Sequence, residues 1–122
     1  MEVKRIVPNL ASTDPKASRE FYAGFLGLRI GMDMGWITTF VSTSHPSAQV
    51  SVCPGETERT GCSSLSIEVD DVDAAHREAL ARGYEVVYPL TDEPWGVRRF
   101  FVTDPSGLLI NVMSHRPKET VK

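Results

Sequence analysis

Cysteine is scarce: Cys53 and Cys62 are the only two in 122 residues. A disulfide framework wants more, and a zinc site needs further ligands close by. Both are read as reduced thiols packed as small apolar side chains. Long apolar runs are also missing. None approaches the roughly 20 residues that cross a bilayer, so no membrane segment is expected. Basic charge is in deficit, with 13 Lys and Arg against 16 Asp and Glu. The first sixty residues hold six of each sign, so the acidity lies in the second half. A nucleic-acid binder would carry a basic face, and that class is excluded. A net charge of −3 is mildly compatible with a cationic ligand. The opening MEVKRIVPNL has neither the apolar stretch nor the cleavage site of an export signal. A cytoplasmic location is expected.

What is present suits one globular domain, at 41% hydrophobic and 24% charged residues. Its clearest feature is a weak internal repeat of pattern. Residues 5–12 (RIVPNLAS) and 63–70 (SSLSIEVD) both have strand character. Each precedes a helix signal. Asp14-Pro15 supplies an N-cap and a proline at the first helical position. Ala17, Phe21 and Phe25, joined by Tyr22 and Leu26, then form an apolar stripe that ends at Gly27. The second helix opens at Asp71, carries Val72, Ala75, Ala79 and Leu80, and ends at Gly83. Three strand-like segments follow each helix: 28–34, 36–42 and 49–53, then 85–88, 98–103 and 108–114. Turn signals divide them, among them Gly35, Pro89, Pro94–Gly96 and Asp104–Gly107. The order is βαβββ twice: module one over 3–53, a polar linker over 54–61, module two over 62–115 and a loose tail over 116–122. This predicts an α+β fold, two tandem βαβββ modules forming curved mixed sheets around a groove fit for a small ligand.

Three stretches carry a resemblance. PNLASTDPKASREFYAGFLGLRI, LSIEVDDVDAAHREALARGYEVV and PWGVRRFFVTDPSGLLINVMSH stand in the order and spacing of the vicinal oxygen chelate (glyoxalase/bleomycin-resistance/dioxygenase) superfamily. The last resembles the closing hairpin of its bleomycin-resistance-like branch. The superfamily contains metal-dependent enzymes and metal-free binders, so the fold alone does not settle function. The resemblance places the metal ligands of the catalytic members at Val7, Ser64, the Gln49–Ser51 strand and Asn111. An alkyl group has no lone pair, and hydroxyls and carboxamides are weak ligands without a charged partner. No metal and no other cofactor is therefore expected. His45 in a turn, His76 on the second helix and His115 beyond the last strand are read as surface residues.

Strand alternation assigns faces. Leu65, Ile67 and Val69 should face the second helix, leaving Ser64, Ser66 and Glu68 on the groove. Ile6, Pro8 and Leu10 should point inward, leaving Val7, Asn9 and Ala11 on the groove, with Asn111 and Met113 from the last strand. The candidate ligand-binding residues are Asn9, Trp36, Ser51, Ser64, Ser66, Glu68, Trp95, Arg98 and Asn111. Glu68 is the one catalytic candidate, as a proton acceptor; the competing reading is a salt bridge to Arg98 or Arg99. Trp36 and Trp95 offer aromatic walls for a planar ligand, against plain core packing for Trp36. Arg98 could anchor an anion or form a structural ion pair. The expected function is metal-free binding of a small aromatic or peptide-like molecule, with antibiotic sequestration as one use. The alternative is a lyase- or isomerase-type enzyme working without metal, or unexpectedly with one. The resemblance implies a homodimer; no nucleic-acid or membrane partner is expected.

Overall fold

The computed structural model describes residues 1–54 and 63–116. The expected linker and tail therefore fall almost wholly outside the described residues. The chain divides into two compact units, one comprising residues 7–64 and the other residues 1–6 with 65–122. The division falls inside strand β1 (Val3–Ser12), whose first residues belong with the C-terminal unit.

In the N-terminal unit, β1 leads to helix α1 (Pro15–Arg19), which widens into a π-helical stretch over Glu20–Phe25. Asp14 caps it, accepting a hydrogen bond from the Ala17 amide at 3.1 Å. The Leu28 amide closes it on the Tyr22 carbonyl at 3.0 Å, with Gly27 at a φ of 78°. Strands β2 (Arg29–Asp33), β3 (Thr38–Val41) and β4 (Gln49–Pro54) follow. β2 and β4 flank β3 antiparallel, and β4 pairs with β1 in parallel. Gly31 lies where the β2–β3 register slips; a Cβ there would come within 2.9 Å of Val41 Cγ1.

The C-terminal unit repeats this plan: β5 (Leu65–Val69), α2 (Val72–Ala81), β6 (Val86–Asp92), β7 (Val97–Thr103) and β8 (Leu109–His115). β6 and β8 flank β7 antiparallel, and β8 pairs with β5 in parallel. Asp71 caps α2 on the Ala74 amide at 3.0 Å, and Gly83, with a φ of 79°, ends it. The mixed α+β architecture and the duplication expected from caps, spacings and terminators are both present. The core of this unit is the face of the sheet against α2, where Val69, Val72, Ala75, Ala79 and Phe100 are buried and Ile67, Val86, Leu90, Val102 and Val112 pack around them.

Several expectations need correction. Pro89 does not end its strand: β6 runs on through it to Asp92. Proline lacks an amide donor, and β6 tolerates it because its pairing with β7 is irregular between Tyr88 and Thr91. β8 reaches His115, one residue further than expected. Leu80 is exposed rather than part of the α2 stripe. In β1 the alternation holds but the buried face is the other one: Val7 and Asn9 are buried while Ile6 and Leu10 are exposed. α1 and its π-helical extension contain no buried residue of their own, and Ile6 and Leu10, which were expected to point inward, are exposed. Tyr22 alone of the stripe finds an aromatic partner in the core, stacking on Phe40 at 5.5 Å. Cys53 is disulfide-bonded rather than a reduced thiol; Cys62 lies outside the described residues.

Candidate functional site

The face of the C-terminal sheet turned away from α2 carries an ordered set of side chains. Register places Ser66 beside Asn111, Asn111 beside Phe101 and Phe101 beside Tyr88. The next row on the same face is Glu68, Met113, Arg99 and Thr91. Alternation sends Phe100 and Arg98 to the other side, Phe100 into the core and Arg98 to Asp73 on α2 and Asp92, each at 3.0 Å.

Arg99 is the centre of this face. Its side chain is only 6% exposed and its Nε donates to Glu93 Oε2 at 2.7 Å. Tyr88 Oη donates to the same oxygen at 2.7 Å. The guanidinium carbon lies 4.9 Å from the Phe101 ring centre, 5.1 Å from Trp95 and 5.4 Å from Tyr88. Cation–π attraction and a charge-assisted bond therefore hold it in place. The tight turn at Gly96, with a φ of 93°, brings Trp95 and Glu93 to the site: the Glu93 amide donates to the Val97 carbonyl at 2.8 Å.

Asn111 sits one row away. Its Nδ2 donates to Ser66 Oγ at 3.1 Å. Its Oδ1 is buried and accepts no hydrogen bond among the described residues. Buried acceptors are rarely left so.

Glu68 sits at the end of the second row, between two partners. Arg5 Nε lies 3.0 Å from Oε1, and His115 Nδ1 lies 2.9 Å from Oε2. Burial pushes the carboxyl upward, but the His115 hydrogen bond and the Arg5 charge outweigh it, and its pKa lies below the ordinary 4.5. The expected partners Arg98 and Arg99 are both engaged elsewhere.

The N-terminal unit has an equivalent row. Asn9 aligns with Ser51, and Ser51 with Thr39. All three are buried. Asn9 Nδ2 donates to Ser63 Oγ at 3.1 Å, and the Thr39 and Ser51 hydroxyls share a hydrogen bond of 2.7 Å. The Ser64 carbonyl accepts from the Asn9 amide at 3.0 Å. In the counterpart row Asn111 Oδ1 accepts no hydrogen bond among the described residues. Trp36 belongs to a different place, a small cleft beside α1 lined by Pro15, Ser18, Arg19, Ile37 and Cys53.

Of the sequence-predicted residues, the structure brings together Ser66, Glu68, Trp95 and Asn111 on one face. Arg98 lies on the opposite face. Asn9, Ser51 and Ser64 meet one another in the N-terminal unit, apart from Trp36. Sequence reasoning missed Arg99, Glu93, Tyr88, Phe101 and His115. The parity of β7 carried the first signal: once Phe100 is given to the helix, Arg99 and Phe101 must go with Asn111. His115 shares the parity of Asn111 and Met113, and β8 has to be carried to its last residue for that to show. Among the described residues, no three His, Cys, Asp or Glu side chains group as a metal site, and no helix is long and apolar enough to cross a membrane.

The fold recurs in solved structures. Methylmalonyl-CoA epimerase from Mycobacterium tuberculosis is similar with a TM-score of 0.69 at 20% identity, over 96% of this chain and 89% of that one. A glyoxalase/bleomycin resistance protein/dioxygenase superfamily member from Vibrio splendidus 12B01 gives 0.64 at 18% identity, over 91% and 97%. The Mn(II)-bound glyoxalase from Novosphingobium aromaticivorans gives 0.66 at 21%, over 99% of this chain but 42% of that longer one. No curated protein matches the sequence. The family model of the Glyoxalase/Bleomycin resistance protein/Dioxygenase superfamily matches residues 4–112. With the repeated βαβββ plan, the match makes this chain a member of that superfamily.

Proposed function

We propose that this protein is a metal-free small-molecule binder of the bleomycin-resistance-like branch. Its ligand, a small aromatic or peptide-like molecule, rests on the Arg99–Trp95–Tyr88 face, and antibiotic sequestration is one use of such capture. The observation that carries the reading is the Arg99 box, a buried cation fixed by Glu93 and ringed by three aromatic side chains. That is a prebuilt surface for a flat ligand. Val7, the Gln49–Ser51 strand, Ser64 and Asn111, where the resemblance places the family's metal ligands, do not fit a divalent cation. Valine has no donor, the others are neutral, and Ser51 is already bonded to Thr39. A homodimer and a cytoplasmic site of action belong to the same proposal. The disulfide at Cys53 opposes the latter, and complete thiol labelling of freshly lysed cells is the result that supports it.

Chelator-treated protein should bind planar aromatic compounds with quenching of Trp95 fluorescence. Trp95→Ala should weaken binding about tenfold or more, and added Mn(II), Ni(II) or Zn(II) should not strengthen it. Affinity that appears only with stoichiometric metal would overturn the reading.

A second reading has its own observation, the Glu68–His115 pair. A carboxylate at Nδ1 fixes the imidazole tautomer and leaves Nε2 as a base. The pair would serve a metal-independent lyase or isomerase. There, His115→Gln should abolish turnover while leaving binding at the Arg99 face intact; equal loss of both, or of neither, counts against it.

A further inference from the structure

We infer that the ligand of the Arg99 face carries a planar oxyanion, such as an aromatic carboxylate, and a hydrogen-bond donor on its other side. This rests on the binding reading above and names the class of molecule bound. The argument starts from what the guanidinium has left to give. Arginine has five N–H donors in a rigid fork. Glu93 occupies the Nε side, and among the described residues Arg99 makes no other hydrogen bond. The Tyr88, Trp95 and Phe101 ring centres lie 5.4, 5.1 and 4.9 Å from the guanidinium carbon, and an aromatic ring has no carboxylate-like pair of acceptors for the fork. The edge formed by the two terminal nitrogens is thus unmatched, and a carboxylate meets that edge with two parallel bonds. Trp95 is 39% exposed, so a flat body attached to the oxyanion would have a ring to lie against.

Asn111 sets the other end. Phe101, whose ring lies 4.9 Å from the guanidinium carbon, is directly beside Asn111 in the β7–β8 register. The Asn111 side chain is held by Ser66, with Oδ1 a buried acceptor that has no donor among the described residues. A molecule with an oxyanion at Arg99 and an N–H or O–H toward Asn111 meets both unmatched groups. The mild acidity of the whole chain points to a cation; the local arrangement points to an anion, and the local arrangement decides because screening removes the distant charges.

The test uses the intact protein and three simple probes of one shape: benzoate, benzamide and benzylammonium, titrated by calorimetry and by fluorescence in Trp36→Phe protein. Benzoate should bind about 10- to 100-fold more tightly than benzamide, the range expected for a charge-assisted bond, and benzylammonium more weakly still. 4-Aminobenzoate should gain a few-fold over benzoate, and Asn111→Ala should erase that gain. Glu93→Gln, which removes the competing carboxylate, should raise the benzoate-to-benzamide ratio further. If benzamide or benzylammonium binds as well as benzoate and still quenches Trp95, the oxyanion is wrong and the binding reading survives. If none of the probes quenches Trp95 at 10 mM, on the order of the weakest useful affinity, both fall.

Discussion

Glu68 lies between Arg5 and His115, and the two partners make its charge a contribution to stability. Its folded pKa is lowered from 4.5, so the native state favours the ionised form more than the unfolded chain does. The contribution is therefore complete above the unfolded value and is lost as pH falls through the folded one. Glu68→Gln should lower the unfolding free energy by about 1–2 kcal/mol at pH 7. Urea titrations of both proteins should converge as pH drops below about 4, the ordinary carboxylate range. A gap that stays constant between pH 7 and pH 3 would mean that the side chain acts by packing and not by charge. The residue itself stood out in the sequence as a carboxylate on a ligand-facing strand position. Its partners did not, because Arg5 lies in β1 and His115 in β8, and only the folded unit brings these three strand positions together.

Local signals were most legible where the chemistry is short-range. Asp14 and Asp71 cap their helices as expected, and Gly27 and Gly83 end them with positive φ. What could not be read was which face each element buries, since that depends on elements far away in the chain. The stripe on α1 and its π-helical extension is regular in sequence, yet Phe21, Phe25 and Leu26 remain exposed. Gly83 and Gly24 of the helical segments therefore differ in kind. Gly83 sits at a φ of 79°, where an L side chain costs about 1–2 kcal/mol. Gly24 lies inside the π-helical stretch, and an added Cβ there meets nothing within 4 Å. Gly83→Ala should destabilise by that amount, whereas Gly24→Ala should stabilise by about 0.5–1 kcal/mol through reduced freedom of the unfolded chain. Guanidinium denaturation midpoints of opposite sign are expected; two destabilised variants would place Gly24 in a backbone conformation that alanine avoids.

At the scale of the whole molecule, the exposed apolar side chains of the N-terminal helical segment are what the proposed homodimer has to explain. The C-terminal unit has a conventional core against α2. The N-terminal unit leaves Phe25 at 73% exposure beside Phe21, their rings 5.4 Å apart, with Leu26, Ile30 and Met32 also exposed. Exposed apolar side chains grouped as those of Phe21 and Phe25 mark an interaction face, and in closed dimers the same patch serves both copies. Burying it against a second copy would remove three large side chains of the helical segment from water, each contributing about 1.5–3 kcal/mol if fully covered. Sedimentation velocity at micromolar concentration should accordingly give a dimer. Phe21→Ser with Phe25→Ser should shift it to the monomer while the far-ultraviolet spectrum and Trp95 quenching by bound ligand stay unchanged, since the Arg99 face lies wholly within the other unit. A wild-type chain that sediments as a monomer at about 100 μM, far above the dissociation constant such burial implies, would remove the homodimer and leave the exposed stripe without a partner of its own kind.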